Sequence, residues 1–197
     1  VEVVDRAQRR GVAAPGTGRP YEEAAGQLLS PPTKGFVAIC ANRLIEQGRL
    51  DPDVRVAEYW PEFAQAGKED VLVRWLLSHK AGLPVIDGTL SIGETLAWDP
   101  VVEALAAQAP IWEPGTQHGY HATTFGWLVG ELIRRVGGRS VGPFGAEGIA
   151  GPLGVDLWVG VPEDRLGQVA PLVPIDLPDN ENVRMIIEQV LGPDSIT

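Results

Sequence analysis

Cysteine is almost missing from this chain: Cys40 is the only one in 197 residues. A lone thiol closes no internal disulfide and offers no Cys-based metal site. Histidine is scarce, at three copies, and 16 Lys and Arg face 26 Asp and Glu, for a net charge of -10. With no Lys/Arg cluster, nucleic acid is not an expected partner, because phosphate binding needs a basic surface. No window reaches 18 uninterrupted apolar residues, so neither a transmembrane helix nor a membrane partner is expected. The start, Val1-Glu2-Val3-Val4-Asp5-Arg6, is acidic and lacks the apolar run of a secretory signal, which makes the cytoplasm the expected compartment.

What the chain does have is enough apolar residue, 44% against 21% charged, to fill the core of one domain. A domain of this size buries roughly 70% of its unfolded surface and needs no staple. The 24 Gly and 17 Pro predict many turns and short elements. Residues 1–10 read as a helical or frayed lead-in, and 11–20 as loop. Phe36, Val37, Ile39, Cys40, Leu44 and Ile45 predict a helix over 33–48, stopped by Gly48. Residues 51–60 read as loop.

A second helix is predicted from 68 or 69 to 80, with Gly82 as its left-handed cap. A third is predicted over 99–108, with Pro100 in its first turn. The strongest helical pattern covers 123–136 and ends at Gly137-Gly138. Residues 140–151 are weakly helical, 155–161 alternate as one short strand, and 182–191 close with a helix. Beyond that strand, only 21–29 could supply another.

Three stretches carry chemistry. Ser30-Pro31-Pro32-Thr33-Lys34-Gly35 heads a helix. Leu76-Leu77-Ser78-His79-Lys80-Ala81-Gly82-Leu83-Pro84 follows, and then Trp112-Glu113-Pro114-Gly115-Thr116-Gln117-His118-Gly119-Tyr120-His121. In this order and spacing they resemble the serine β-lactamase-like superfamily, most nearly the esterases related to class C β-lactamases and penicillin-binding proteins. The resemblance implies an α+β, β-lactamase/transpeptidase-like fold. The chain is expected to hold a mostly helical part of it, with few strands and an incomplete sheet. The whole of 1–197 then reads as a partial domain: a loop-rich lead-in over 1–20, the catalytic-subdomain core over 21–160, and loop and helix over 161–197.

The resemblance also implies a serine hydrolase that cleaves small carboxylic esters through an acyl-serine intermediate, without metal or organic cofactor. Its small-molecule ester is the only partner implied. Family members place a Ser-x-x-Lys tetrad at the start of a helix, so that the amine one turn on can take the hydroxyl proton. Lys34 matches that base, and Tyr120 matches the tyrosine that passes the proton on. Two positions after Tyr120, where lactamases have Asn, stands Ala122.

The tetrad here reads Pro31-Pro32-Thr33-Lys34, so proline occupies the nucleophile's register. Proline has neither a hydroxyl nor the backbone N–H that forms half of the oxyanion hole. Ser30, four residues before Lys34, is the remaining candidate nucleophile, although Ser before Pro is also a common helix cap, the preferred reading here. No Lys-Thr-Gly-like or His-Gly-Gly-like segment follows Tyr120. The alternative is therefore a non-catalytic remnant, at most a binding or interaction module.

His79, near a predicted helix end, reads as a cation complementing the helix dipole. His118 and His121 flank Tyr120 and read as shaping the pocket mouth, since two histidines make a poor zinc site. Trp98 and Trp112 fall in segments that would rim a substrate cleft.

Overall fold

A computed structural model describes residues 12–14, 16, 18–22 and 25–172, with the predicted helices over 1–10 and 182–191 lying outside this range. The elements in chain order are β1 (Val12–Ala14), β2 (Arg19–Pro20), α1 (Pro31–Glu46), α2 (Val73–Leu77), α3 (Ile92–Leu96), α4 (Asp99–Ala107), α5 (Phe125–Gly137), α6 (Val141–Gly145) and α7 (Gly151–Leu153). A π-helical turn over Ala146–Ala150 joins the last two. The structure is mostly helical, and the only sheet among the described residues is the antiparallel pair β1–β2. That hairpin lies inside the segment expected to be loop. Arg19, on β2, donates to the carbonyls of Gly167 and Val169, the latter at 3.0 Å, tying the hairpin to the far end of the described chain.

The core forms where α1 lies along α5. Phe36, Val37, Cys40, Ala41 and Leu44 make one buried stripe on α1, and Leu128, Val129, Leu132 and Ile133 make its counterpart on α5. Ile39, expected to point inward with them, lies on the opposite side of α1 and is 54% exposed. Both helices stop where the sequence places glycine: Gly48 and Gly138 adopt φ +66° and +77°. α6 packs so closely on α1 that a Cβ at Gly145 would sit 2.4 Å from the Phe36 ring and 3.2 Å from the Cys40 sulfur. Segment 141–153, weakened on paper by its glycines, is helical because one of them lets the two helices approach. Burial pushes the Cys40 thiol up to about 11, so it stays protonated.

Two other expectations are corrected. α2 spans five residues rather than twelve, because the chain before it is held extended. Val56 N–H donates to Val71 O at 2.8 Å and Val73 N–H to Val54 O at 3.0 Å, an antiparallel bridge that delays the helix. The strand over 155–161 is not formed, and residues 21–29 contribute one bridging residue, Gly26, paired with Val169. No neighbouring strand exists among the described residues to pair with 155–161, and alternation alone does not hold an extended segment. No helix of the described residues is long and apolar enough to cross a membrane.

Two buried charges fix the helices in place. Lys68 is fully buried; its ammonium donates to the carbonyl of Gln65 at 2.9 Å and to that of Gln108, just past the end of α4, and lies 5.3 Å from the Phe63 ring. Glu131, on the inner face of α5, is also fully buried and accepts from Trp98 Nε1 at 2.9 Å, Arg134 Nε at 2.7 Å and Arg135 Nε at 2.7 Å. Arg134 continues to Asp99 at the start of α4, and Arg135 to Glu62. Trp98 is thus a bracket between helices, with its ring against Gly130, rather than the rim of a cleft.

Burial raises the Glu131 carboxyl, but the hydrogen bonds from Arg134, Trp98 and Arg135 outweigh it and leave the group below the ordinary carboxylate value. A lowered native value stabilises the fold above the unfolded value, about 4.3, and that contribution is lost as pH falls below it. Glu131→Gln should therefore cost about 2 kcal/mol at neutral pH, a modest figure because the guanidinium partners keep solvent contact. The deficit should shrink in acid. Urea unfolding of both proteins at neutral and acid pH measures this; equal midpoints at neutral pH would refute it.

Candidate active site

Lys34 lies in the first turn of α1, half-buried, and its chain runs toward the turn that follows the 110–119 connection. Its ammonium donates to the backbone carbonyl of Ala122 at 2.6 Å and sits 5.0 Å from the centre of the Tyr120 ring. The two residues expected to act together are therefore brought together across 86 positions of sequence. The amine meets the face of the ring, a cation–π contact. At position 122, where the side chain is only a methyl group, the backbone carbonyl supplies the amine's acceptor. Tyr120 remains 47% exposed.

Ser30 stands immediately before α1 but does not cap it. A capping serine adopts an extended backbone and accepts an N–H from the first turn. Ser30 instead has φ -77° and ψ -66°, in the right-handed helical region, and makes no capping bond. Its backbone continues the helical path backward, which puts Ser30 and Lys34 one turn apart on the same side. Pro31 is the first helical residue, with no N–H to offer. The Thr33 hydroxyl is taken up by the carbonyl of Leu29.

The turn bearing Tyr120 is fastened to residues 79–83. Gly119 N–H donates to His79 O at 3.2 Å, and His121 N–H donates to His79 Nδ1 at 3.2 Å. Leu83 N–H donates to His121 Nε2 at 3.1 Å, and Thr124 Oγ1 donates to Leu83 O at 2.6 Å. His79, not Gly82, is the left-handed residue that closes α2, at φ +59°. Burial first, then the charges of His121, His118 and Lys34, lower the His79 pKa to about 4. At neutral pH the ring is uncharged, which overturns the reading of His79 as a helix-end cation. His121 is fully enclosed rather than at a pocket mouth, and its pKa is likewise lowered, chiefly by burial. No group of residues suited to a metal ion occurs among the described residues.

Trp112 packs its ring on Gly119 and lies edge-on to His121 at 5.9 Å, so it backs the site instead of rimming it. An apolar cavity of about 440 Å³ opens along the other flank of α1, between Leu28, Pro32, Phe36 and Ile39 on one side and Trp158 and Val161 on the other. It does not include Lys34 or Tyr120.

The Beta-lactamase family model matches residues 1–183. The chain belongs to the Beta-lactamase family. Among its relatives within the family, the Esterase/beta-lactamase LipL of Mycobacterium tuberculosis is 35% identical over 164 residues, 82% of this chain and 38% of LipL. A penicillin-binding protein homolog from Caulobacter crescentus superposes with a TM-score of 0.81 at 40% identity, covering 85% of this chain and 45% of that one. A family VIII carboxylesterase gives a TM-score of 0.81 at 41% identity, covering 84% and 46%. The fold is thus β-lactamase/transpeptidase-like, and the chain spans less than half the length of each of these relatives.

Gly82 tests how tightly the site is built. It adopts φ +76°, and a Cβ there would lie 2.6 Å from the carbonyl oxygen of Trp112. Gly82→Ala combines left-handed strain with overpacking against backbone and should cost about 2–4 kcal/mol. A denaturant midpoint equal to that of the parent chain would refute the close packing of the two loops.

Proposed function

We propose that this chain hydrolyses small carboxylic esters through an acyl-serine intermediate, with Ser30 as nucleophile, Lys34 as base and Tyr120 as proton donor to the leaving group. The observation that carries the reading is the meeting of the Lys34 amine with Tyr120 at the head of α1. The helical backbone of Ser30, one turn before Lys34, supports a nucleophile displaced by one position from the family register. The displacement also supplies what proline lacks, since Ser30 has both a hydroxyl and a backbone N–H that can face an oxyanion.

In this mechanism the Ser30 Oγ attacks the ester carbonyl while its proton passes to the Lys34 amine. The tetrahedral adduct expels the alcohol, which takes its proton by way of Tyr120. Water then attacks the acyl-Ser30 ester, releasing the carboxylic acid and restoring the hydroxyl. No step uses a metal or organic cofactor. Residues 21–160 form the catalytic core, flanked by 1–20 and 161–197. The names of the Esterase/beta-lactamase and carboxylesterase relatives support ester hydrolysis.

A second reading, a non-catalytic binding or interaction module, is favoured by one observation: Pro31 in the nucleophile's register. Release of a coloured alcohol from an activated short-chain ester separates the two. Turnover should fall about 100-fold or more in Lys34→Ala, and Ser30→Ala should abolish labelling by a serine-directed probe. If the parent chain never exceeds the Lys34→Ala control and only Pro31→Ser becomes labelled, the non-catalytic reading stands.

A further inference from the structure

Neither His79 nor His121 has been given a chemical role by the reading above, yet both pack against Tyr120's turn through polar ring atoms. The His79 ring lies 5.1 Å from the Tyr120 ring and 5.0 Å from that of Phe125, the first residue of α5. Each nitrogen's role follows from its partner. A backbone N–H can only donate, so His79 Nδ1, which receives the His121 N–H, carries no proton, and the ring's proton sits on Nε2. His121 Nε2 receives the Leu83 N–H, so its proton sits on Nδ1, where it donates to Gly119 O at 2.7 Å. The two rings are neutral and of opposite tautomer. Each bonds the backbone of the other's segment, so the pair forms a reciprocal clasp around the residue that faces Lys34.

The clasp is held against a conformational cost. His79 keeps a left-handed backbone, at φ +59°, which strains a residue with a Cβ. That backbone brings both His79 O and His79 Nδ1 to bear on the 119–121 turn, at Gly119 N and His121 N. A functional site is where such strain is retained. Protonating either acceptor nitrogen would turn it toward an N–H donor and break the bond. The groups facing His79 are Lys34 from α1 and His118, Tyr120 and His121 from the turn, and the lowered His79 pKa keeps the acceptor free at neutral pH.

We propose that His79 and His121 are positioning residues, which fix Tyr120 against the Lys34 amine by accepting backbone hydrogen bonds as neutral rings of opposite tautomer. The inference rests on the reading of Lys34 and Tyr120 as the reacting pair, but its geometry can be measured without turnover. The chain has three tyrosines, so labelling with meta-fluorotyrosine gives three fluorine signals, and Tyr120→Phe identifies one. His79→Leu and His121→Leu should shift or broaden the Tyr120 signal and leave those of Tyr21 and Tyr59 in place. His79→Asn and His121→Gln should keep it, because Asn presents an oxygen near the Nδ1 position and tolerates a left-handed backbone, and Gln presents one near Nε2.

If the chain is an esterase, kcat should fall at least about tenfold in the Leu variants with KM little changed, and recover in the amide variants. A Tyr120 signal that moves as described in a chain without turnover supports the clasp and overturns only the catalytic reading. A Tyr120 signal unmoved in folded Leu variants overturns the clasp. Should the Leu variants fail to fold, imidazole nitrogen NMR of the parent chain decides: Nε2–H for His79 with Nδ1–H for His121 supports the proposal, and any other pair of tautomers overturns it.

Discussion

Three backbone hydrogen bonds join the loop after α2 to the long connection before α5. Ile111 N–H meets Gly82 O at 2.8 Å, Gly115 N–H meets Lys80 O at 2.9 Å, and Gly119 N–H meets His79 O at 3.2 Å. The connection has almost no regular structure of its own, so these bonds do much to set where its last residues lie. With them, Tyr120 arrives at the first turn of α1. The remaining constraints lead to the same place: Trp112 fills the space over Gly119, and the Thr124 hydroxyl anchors the entrance to α5 on Leu83. The helices supply the platform, and this irregular seam supplies the aim.

The parts of the fold legible in the sequence are those where one periodic stripe settles the outcome. α1, α4 and α5 lie within a few residues of their expected limits, because apolar spacing, a proline in the first turn or a glycine beyond the last turn speak locally. α2 is shorter than its apolar spacing suggests, because its upstream half is claimed by pairing with residues 54–56, a long-range competitor that periodicity does not register. The hairpin of β1 and β2 leaves no such trace for the opposite reason: Gly and Pro in a short segment mark a turn, while the strands flanking it are too short to show alternation.

The site divides in the same way. Motif order singles out Lys34 and Tyr120, and the fold brings the amine of one to the ring of the other. Ser30 has the neighbours of a cap, and only its backbone angles, set by how the chain enters α1, show that it continues the helix instead. Sequence gives no protonation state, so on it alone His79 is a helix-end cation and His121 a pocket lining. Burial sets that state, and burial depends on Phe125, Trp112 and the turn folding over them. Two ordinary histidines become acceptors once water is removed from around them.

Cys40 links the core to the site in a way that concerns handling rather than chemistry. Its sulfur is enclosed between α1 and the glycine face of α6, on the helix whose first turn carries Lys34. Oxidants and alkylating reagents reach a thiol through its thiolate, and here that form is both disfavoured and shut in. The native chain should therefore resist dimerisation through sulfur during storage in air. The same reagents consume that thiol once the two helices part, so its survival is a running record of whether the lysine-bearing helix has stayed seated.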